Sequence, residues 1–101
     1  MKQKSQINSN TILQRNPDQL FTMVNEEVIM LNIKNEEYLN LNPHASHIWN
    51  QLESPLSFEE LIDHLCSVFN VEKEACIVDT LDFITKLVEK DIIQIIHEKT
   101  A

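Results

Sequence analysis

EEVIMLNIKNEEYLNLNPHASHIWNQL, residues 26–52, is the stretch whose reading decides the fold. Its first part alternates. Val28, Met30 and Asn32 point one way from a strand, and Ile29, Leu31 and Ile33 the other. Lys34-Asn35-Glu36 is polar and turns the chain, after which Tyr38-Leu39-Asn40-Leu41 alternates again. Asn42-Pro43 ends that strand, because the residue before a proline is pushed out of the helical region. Pro43 also suits the first turn of a helix, where no amide hydrogen is needed. Ala45, Ile48, Trp49 and Leu52 then recur at helical spacing and make one apolar face. A hairpin therefore feeds directly into a helix led by a tryptophan, and the rest of the chain is expected to pack around that joint.

Upstream, Leu20-Phe21-Thr22-Met23-Val24 reads as a strand, with Asn25-Glu26-Glu27 a tight connection into the Val28–Ile33 strand. Asn16-Pro17-Asp18 is a turn, Thr11 to Gln14 a short edge strand or extended arm, and residues 1–10 a polar, flexible N-terminal segment. Downstream, Glu53-Ser54-Pro55-Leu56 breaks the first helix. Ser57-Phe58-Glu59-Glu60 is a capping box, and Phe58, Leu61, Ile62, Leu65, Val68 and Phe69 share one side of the helix that follows. A third helix opens near Glu72, whose carboxylate suits a helix start, and runs to about Lys90. Ile77, Leu81, Ile84 and Val88 are its expected central stripe, flanked by Val78, Phe83 and Leu87. Ile92-Ile93-Gln94-Ile95-Ile96 closes the fold as a strand. The expected class is α+β: a small winged-helix-like domain over residues 11–97, in which a three-stranded antiparallel sheet is followed by three helices and a short terminal strand.

Composition narrows the function. With 101 residues the chain makes one domain, large enough to hold a core without staples. Sixteen acidic residues against eight basic ones give a net charge of −8, and there is no Lys/Arg cluster to displace counterions from phosphates. Nucleic acid is therefore not the expected partner, which weighs against a winged-helix DNA-binding regulator. There is no glycine. Turns fall to Asn, Asp, Ser, Pro and Lys, at a cost wherever a positive φ is required. The phosphate-cradling loops of nucleotide-binding enzymes are missing for the same reason. No run approaches the roughly 20 apolar residues that cross a bilayer. The N-terminal lysines have no apolar segment behind them, so a cytoplasmic protein without a secretory signal or membrane association is expected.

Few residues suggest chemistry. His44 and His47, three apart, have a spacing that suits one face of a metal, but no Cys, Asp or Glu ligand accompanies them, and they read as polar residues beside a proline turn. His64 and His97 have no motif. Cys66 and Cys76 stand among apolar neighbours and read as reduced packing residues rather than nucleophiles or a disulfide. No paired carboxylates or nucleophile–base set stands out, so neither an enzyme nor a cofactor or metal site is expected. What remains is geometry. If the Tyr38–Leu41 strand lies at a sheet edge, its free N–H and C=O groups can take up an extended peptide, with the third helix as the wall of a groove. An edge of this kind also permits a weak homodimer.

The string EYLNLNPHASHIWNQLESPLSFEELIDHL resembles the PqqD-like family of leader-peptide recognition proteins. The shared pattern is an aromatic residue (Tyr38), Leu41-Asn42, Ile48-Trp49, and a Ser57-Phe58-Glu59-Glu60-Leu61 helix start. Asn40 and Asp91 stand where family members often have glycine, and both residue types tolerate positive φ. The resemblance implies a non-catalytic adaptor that binds the leader segment of a ribosomally made precursor peptide by strand addition and presents it to a separate enzyme. Carried over by position, the peptide-binding residues are Tyr38, Leu39, Asn40 and Leu41 from the strand, and Val78, Leu81, Asp82 and Thr85 from the helix. A free-standing chain of this length is similar to the leader-binding proteins of lasso-peptide pathways, which serve a leader peptidase. The alternative is a peptide chaperone for a radical enzyme, as in pyrroloquinoline quinone assembly.

Overall fold

The computed structural model describes residues 7–33 and 36–96. In chain order the elements are β1 (Ile12–Arg15), β2 (Leu20–Val24), β3 (Glu27–Asn32), β4 (Glu37–Asn40), α1 (Pro43–Gln51), β5 (Leu56–Ser57), α2 (Phe58–Val68), α3 (Lys73–Glu89) and β6 (Ile93–Ile96). They form two three-stranded antiparallel sheets, β2-β3-β4 and β5-β1-β6. The first is the expected meander, and three helices and a terminal strand follow it in the expected order. Of the segment 1–10 expected to be flexible, residues 1–6 lie outside the described residues, as do Lys34-Asn35 and His97.

One strand is placed differently from its expectation. Residues 12–15 are not an edge strand or a loose arm but the centre of the second sheet. Leu13 is fully buried there, and β1 pairs with β5 on one side and β6 on the other, Ile12 facing both Ser57 and Ile96. The reason lies at the far end of the chain. The apolar run at 92–96 must satisfy its backbone groups, and Ile12–Arg15 is the strand that it meets. The two-residue β5, which the sequence reading passed over as a helix break, covers the opposite edge.

Tight turns are made without glycine. Asn25 and Glu26, at φ 52° and 71°, form the two-residue turn between β2 and β3, where both central residues of a type I′ turn need the left-handed region. Asp91, at φ 63°, ends α3: its N–H donates to Val88 O and that of Ile92 to Leu87 O, which is a Schellman closure. Asn40, by contrast, is ordinary extended strand. Helix starts follow the sequence. The Asn42 carboxamide accepts from Ala45 N–H at 2.8 Å with Pro43 next, and Ser57 and Glu60 complete the capping box.

The core gathers Leu13, Val28, Met30, Ile48, Trp49, Leu52, Leu61, Ile62, Leu65 and Ile84. Trp49 is fully buried. At about 25 cal/mol per Å² and about 200 Å² of ring surface, it stabilises by about 5 kcal/mol. Phe21 meets its ring edge-on at 5.4 Å, and the Arg15 guanidinium lies 4.8 Å from the Phe21 centroid and 5.1 Å from that of Trp49. That cation joins the two sheets through α1.

The buried line of α3 also differs from the expected stripe. Cys76, Thr80, Ile84 and Leu87 are buried, while Ile77, Leu81 and Val88 are only partly covered. Thr80 can enter the core because its hydroxyl lies 3.7 Å from Cys76 Sγ, so a polar group is hidden with a partner. A pattern search that admits only apolar residues skips Thr80 and centres the stripe one residue too far round the helix.

Candidate functional site

β4 is an edge strand, hydrogen-bonded to β3 alone among the described residues. Leu41 N–H donates to Val28 O at 2.8 Å just past its end. In an antiparallel ladder, residues alternate between turning both backbone groups to the partner and turning both away. Leu39 and Glu37 therefore face β3, opposite Met30 and Asn32, and the N–H and C=O of Tyr38 and Asn40 point from the free edge. Side chains alternate as well: Leu39 packs on the core and Leu41 is buried, while Tyr38 is 74% exposed and Asn40 is exposed. Tyr38 belongs to an apolar outer face of the meander, beside Leu20, Ile29 and Leu31.

A buried hydroxyl fixes the end of this strand. Ser46, on α1, accepts from Val28 N–H at 2.8 Å and donates to Leu41 O at 3.0 Å. The ladder between β3 and β4 is thus completed by a helix side chain, and the edge is locked to the helix that follows it.

α3 comes near the β4 segment at its two ends. At one end Lys90 Nζ meets Glu37 Oε2 at 2.9 Å. At the other, a hollow of about 270 Å³ opens between α1 and α3, lined by Asn42, His44, Ala45, Ile48, Asp79 and Phe83. From Asp79 to Lys90 the helix rises about 16 Å, and from Glu37 to Asn42 the strand extends about 17 Å. The two spans are of similar length.

The eight residues selected from the sequence divide unevenly. Tyr38, Leu39, Asn40 and Leu41 are consecutive along the edge strand. On α3, Val78 is 65% exposed, Asp82 is exposed and paired with Lys86 at 3.4 Å, and Thr85 is partly covered. Leu81 lines a different hollow, of about 310 Å³, with Ile7, Phe58, Ile62 and Ile77 on the other flank of the helix. The α3 residues that face α1 are Asp79 and Phe83, which the sequence reading did not select. Their i, i+4 spacing, on the side of Thr80 opposite Ile77 and Leu81, marks them once Thr80 is admitted to the core.

Reactive groups do not converge here. Among the described residues no group of three or more His, Cys, Asp or Glu could hold a metal ion. Cys76 is buried and Cys66 half-buried, both as free thiols. Burial pushes the Cys76 thiol pKa up, which disfavours the thiolate that a nucleophile needs. No helix among the described residues is long and apolar enough to cross a membrane.

Fold and edge together define a small α+β domain in which β4, like β2 on the far side of β3, is an edge strand of its sheet among the described residues. The family model for coenzyme PQQ synthesis protein D (PqqD) matches residues 27–93, well over half of the chain, and the chain belongs to that family. No curated protein matches it. Among solved structures, TbiB1 in complex with the TbiA(beta) leader peptide has a TM-score of 0.72 at 24% identity, covering 84% of this chain and 99% of that one. It shares the fold described above.

Proposed function

We propose that this protein is a non-catalytic adaptor that takes up the leader segment of a ribosomally made precursor peptide as an added strand on β4. The observation that carries the reading is the free backbone edge at Tyr38 and Asn40, with Asp79 and Phe83 of α3 and the first turns of α1 beside it. Main-chain bonds to the edge supply affinity, and the hollow selects side chains. Family membership supports the reading, and so does the fold shared with TbiB1, a protein solved in complex with a leader peptide. The acidic surface does not suit a nucleic acid, so a regulator that binds duplex is the weaker reading.

The bound leader is presented to a separate enzyme. We favour the leader peptidase of a lasso-peptide pathway, with a radical enzyme of pyrroloquinoline quinone type as the alternative. Calorimetry with a synthetic peptide carrying the leader of the precursor encoded beside this chain tests the reading: a Kd of about 1 µM or tighter, near −8 kcal/mol, is expected. Absence of heat together with failure to compete with a labelled peptide would overturn it. A pull-down of the neighbouring peptidase with and without that peptide tests the handover.

A further inference from the structure

α1 has a second side, turned from the hollow toward α2. There His47 Nε2 and His64 Nε2 stand 2.7 Å apart, with the ring planes within 8° of parallel and the centroids 4.8 Å apart. Two imidazole nitrogens at that distance share a single hydrogen bond: one Nε2 carries hydrogen and the other accepts it. The contact survives one added proton, at the donor's Nδ1. It fails when the accepting Nε2 is protonated as well, since two N–H groups then confront each other between two cations.

We propose that His47 and His64 form a proton-gated latch that holds α1 against α2 near neutral pH and releases it on acidification.

The surroundings favour the closed, less protonated state. Burial lowers the His47 pKa below its ordinary value, and His64 and then His44 lower it further. Phe69, after α2, lies 5.5 Å from the His47 ring and 4.9 Å from that of His44, and adds no charge. Carboxylates on the neighbouring elements have other engagements. Glu60 accepts from Ser57 N–H, and Asp63 is 3.9 Å from Lys73. Asp79, on α3, shares the lining of the hollow with His44 rather than facing His47. A histidine with a depressed folded-state pKa contributes stability that is present above the unfolded value of about 6.5 and lost as pH falls through the folded one.

α1 also supplies Asn42, His44, Ala45 and Ile48 to the hollow. Opening the latch therefore loosens one wall of the groove, a consequence that rests on the peptide-binding reading above.

Ring carbon–proton NMR spectra of the wild-type protein, recorded from about pH 7.5 to 5.0, test the latch without any variant. The His47 ring signals should titrate with a midpoint below about 6.5. Over the same range the melting temperature should fall by about 5 °C more in wild type than in His47→Gln/His64→Gln. If that double variant does not fold, His64→Gln alone makes the comparison. Anisotropy of the labelled leader peptide should show about fivefold weaker binding to wild type at pH 5.5 than at 7.5, and less than twofold in the variant. A His47 midpoint at or above about 6.5, or identical melting profiles for wild type and variant, would overturn the latch. If the peptide binds at no pH, the adaptor reading falls, while the ring titrations and melting profiles still decide the latch.

Discussion

Asn40→Pro separates the free edge from the fold that bears it. The Asn40 N–H and C=O point out of the sheet, whereas those of Leu39 turn to β3 opposite Met30. An added strand would make two backbone bonds at Asn40, each worth about 0.5–1.5 kcal/mol net. Proline deletes the donor, and its ring crowds the approach to the acceptor. The expected loss is about 2 kcal/mol of binding, or about 30-fold in Kd. The fold loses little, because no intrachain bond is broken and Leu39 already has the extended backbone that a following proline demands. Leu39→Pro is the contrasting change: it removes a bond of the inner ladder and a side chain packed on the core, at about 3 kcal/mol or more of stability. Calorimetry with the leader peptide, paired with thermal melts of both variants, makes the measurement. If Asn40→Pro keeps its melting temperature and binds within threefold of wild type, the peptide does not add to β4 and the reasoning is wrong.

Four further changes test the parts around the edge. Ser46→Ala should destabilise by about 2–4 kcal/mol in urea unfolding, because Val28 N–H and Leu41 O would both lose a partner in a site closed to water. Glu26→Gly should raise the melting temperature by about 3–6 °C, since glycine removes most of the cost of the left-handed conformation at φ 71°. Val78→Lys should leave leader affinity within twofold and stability within about 0.5 kcal/mol, whereas Phe83→Ala, assayed where it remains folded, should weaken leader binding about tenfold; equal effects on affinity would move the groove to the other flank of α3.

Much of this molecule is legible in its residues because local chemistry and the global fold agree. The alternation at 28–33 and 38–41, the Asn42-Pro43 boundary and the Ser57/Glu60 box each have one good solution, and each is adopted. What escaped needed long-range information. Ile12–Arg15 carries too few apolar residues to announce a central strand, and its role is set by Ile93–Ile96, some eighty residues away. On α3, Thr80 enters the core through its contact with Cys76, a partnership that hydrophobicity cannot signal. With Thr80 in the core, Asp79 and Phe83 line the hollow beside α1, while Leu81 lines the one on the other flank. The edge position of β4 is legible as well, because a helix begins immediately behind it and leaves no room for a following strand.

The pairing of β1 with β6 bears on how such a domain can be used. Ile12 lies opposite Ile96, so the points where the folded body takes in and lets out its backbone are neighbours, and both belong to the sheet that does not contain β4. A host protein could accept the whole unit at a surface loop, entering and leaving through one doorway, while the open edge of β4 remains in the other sheet.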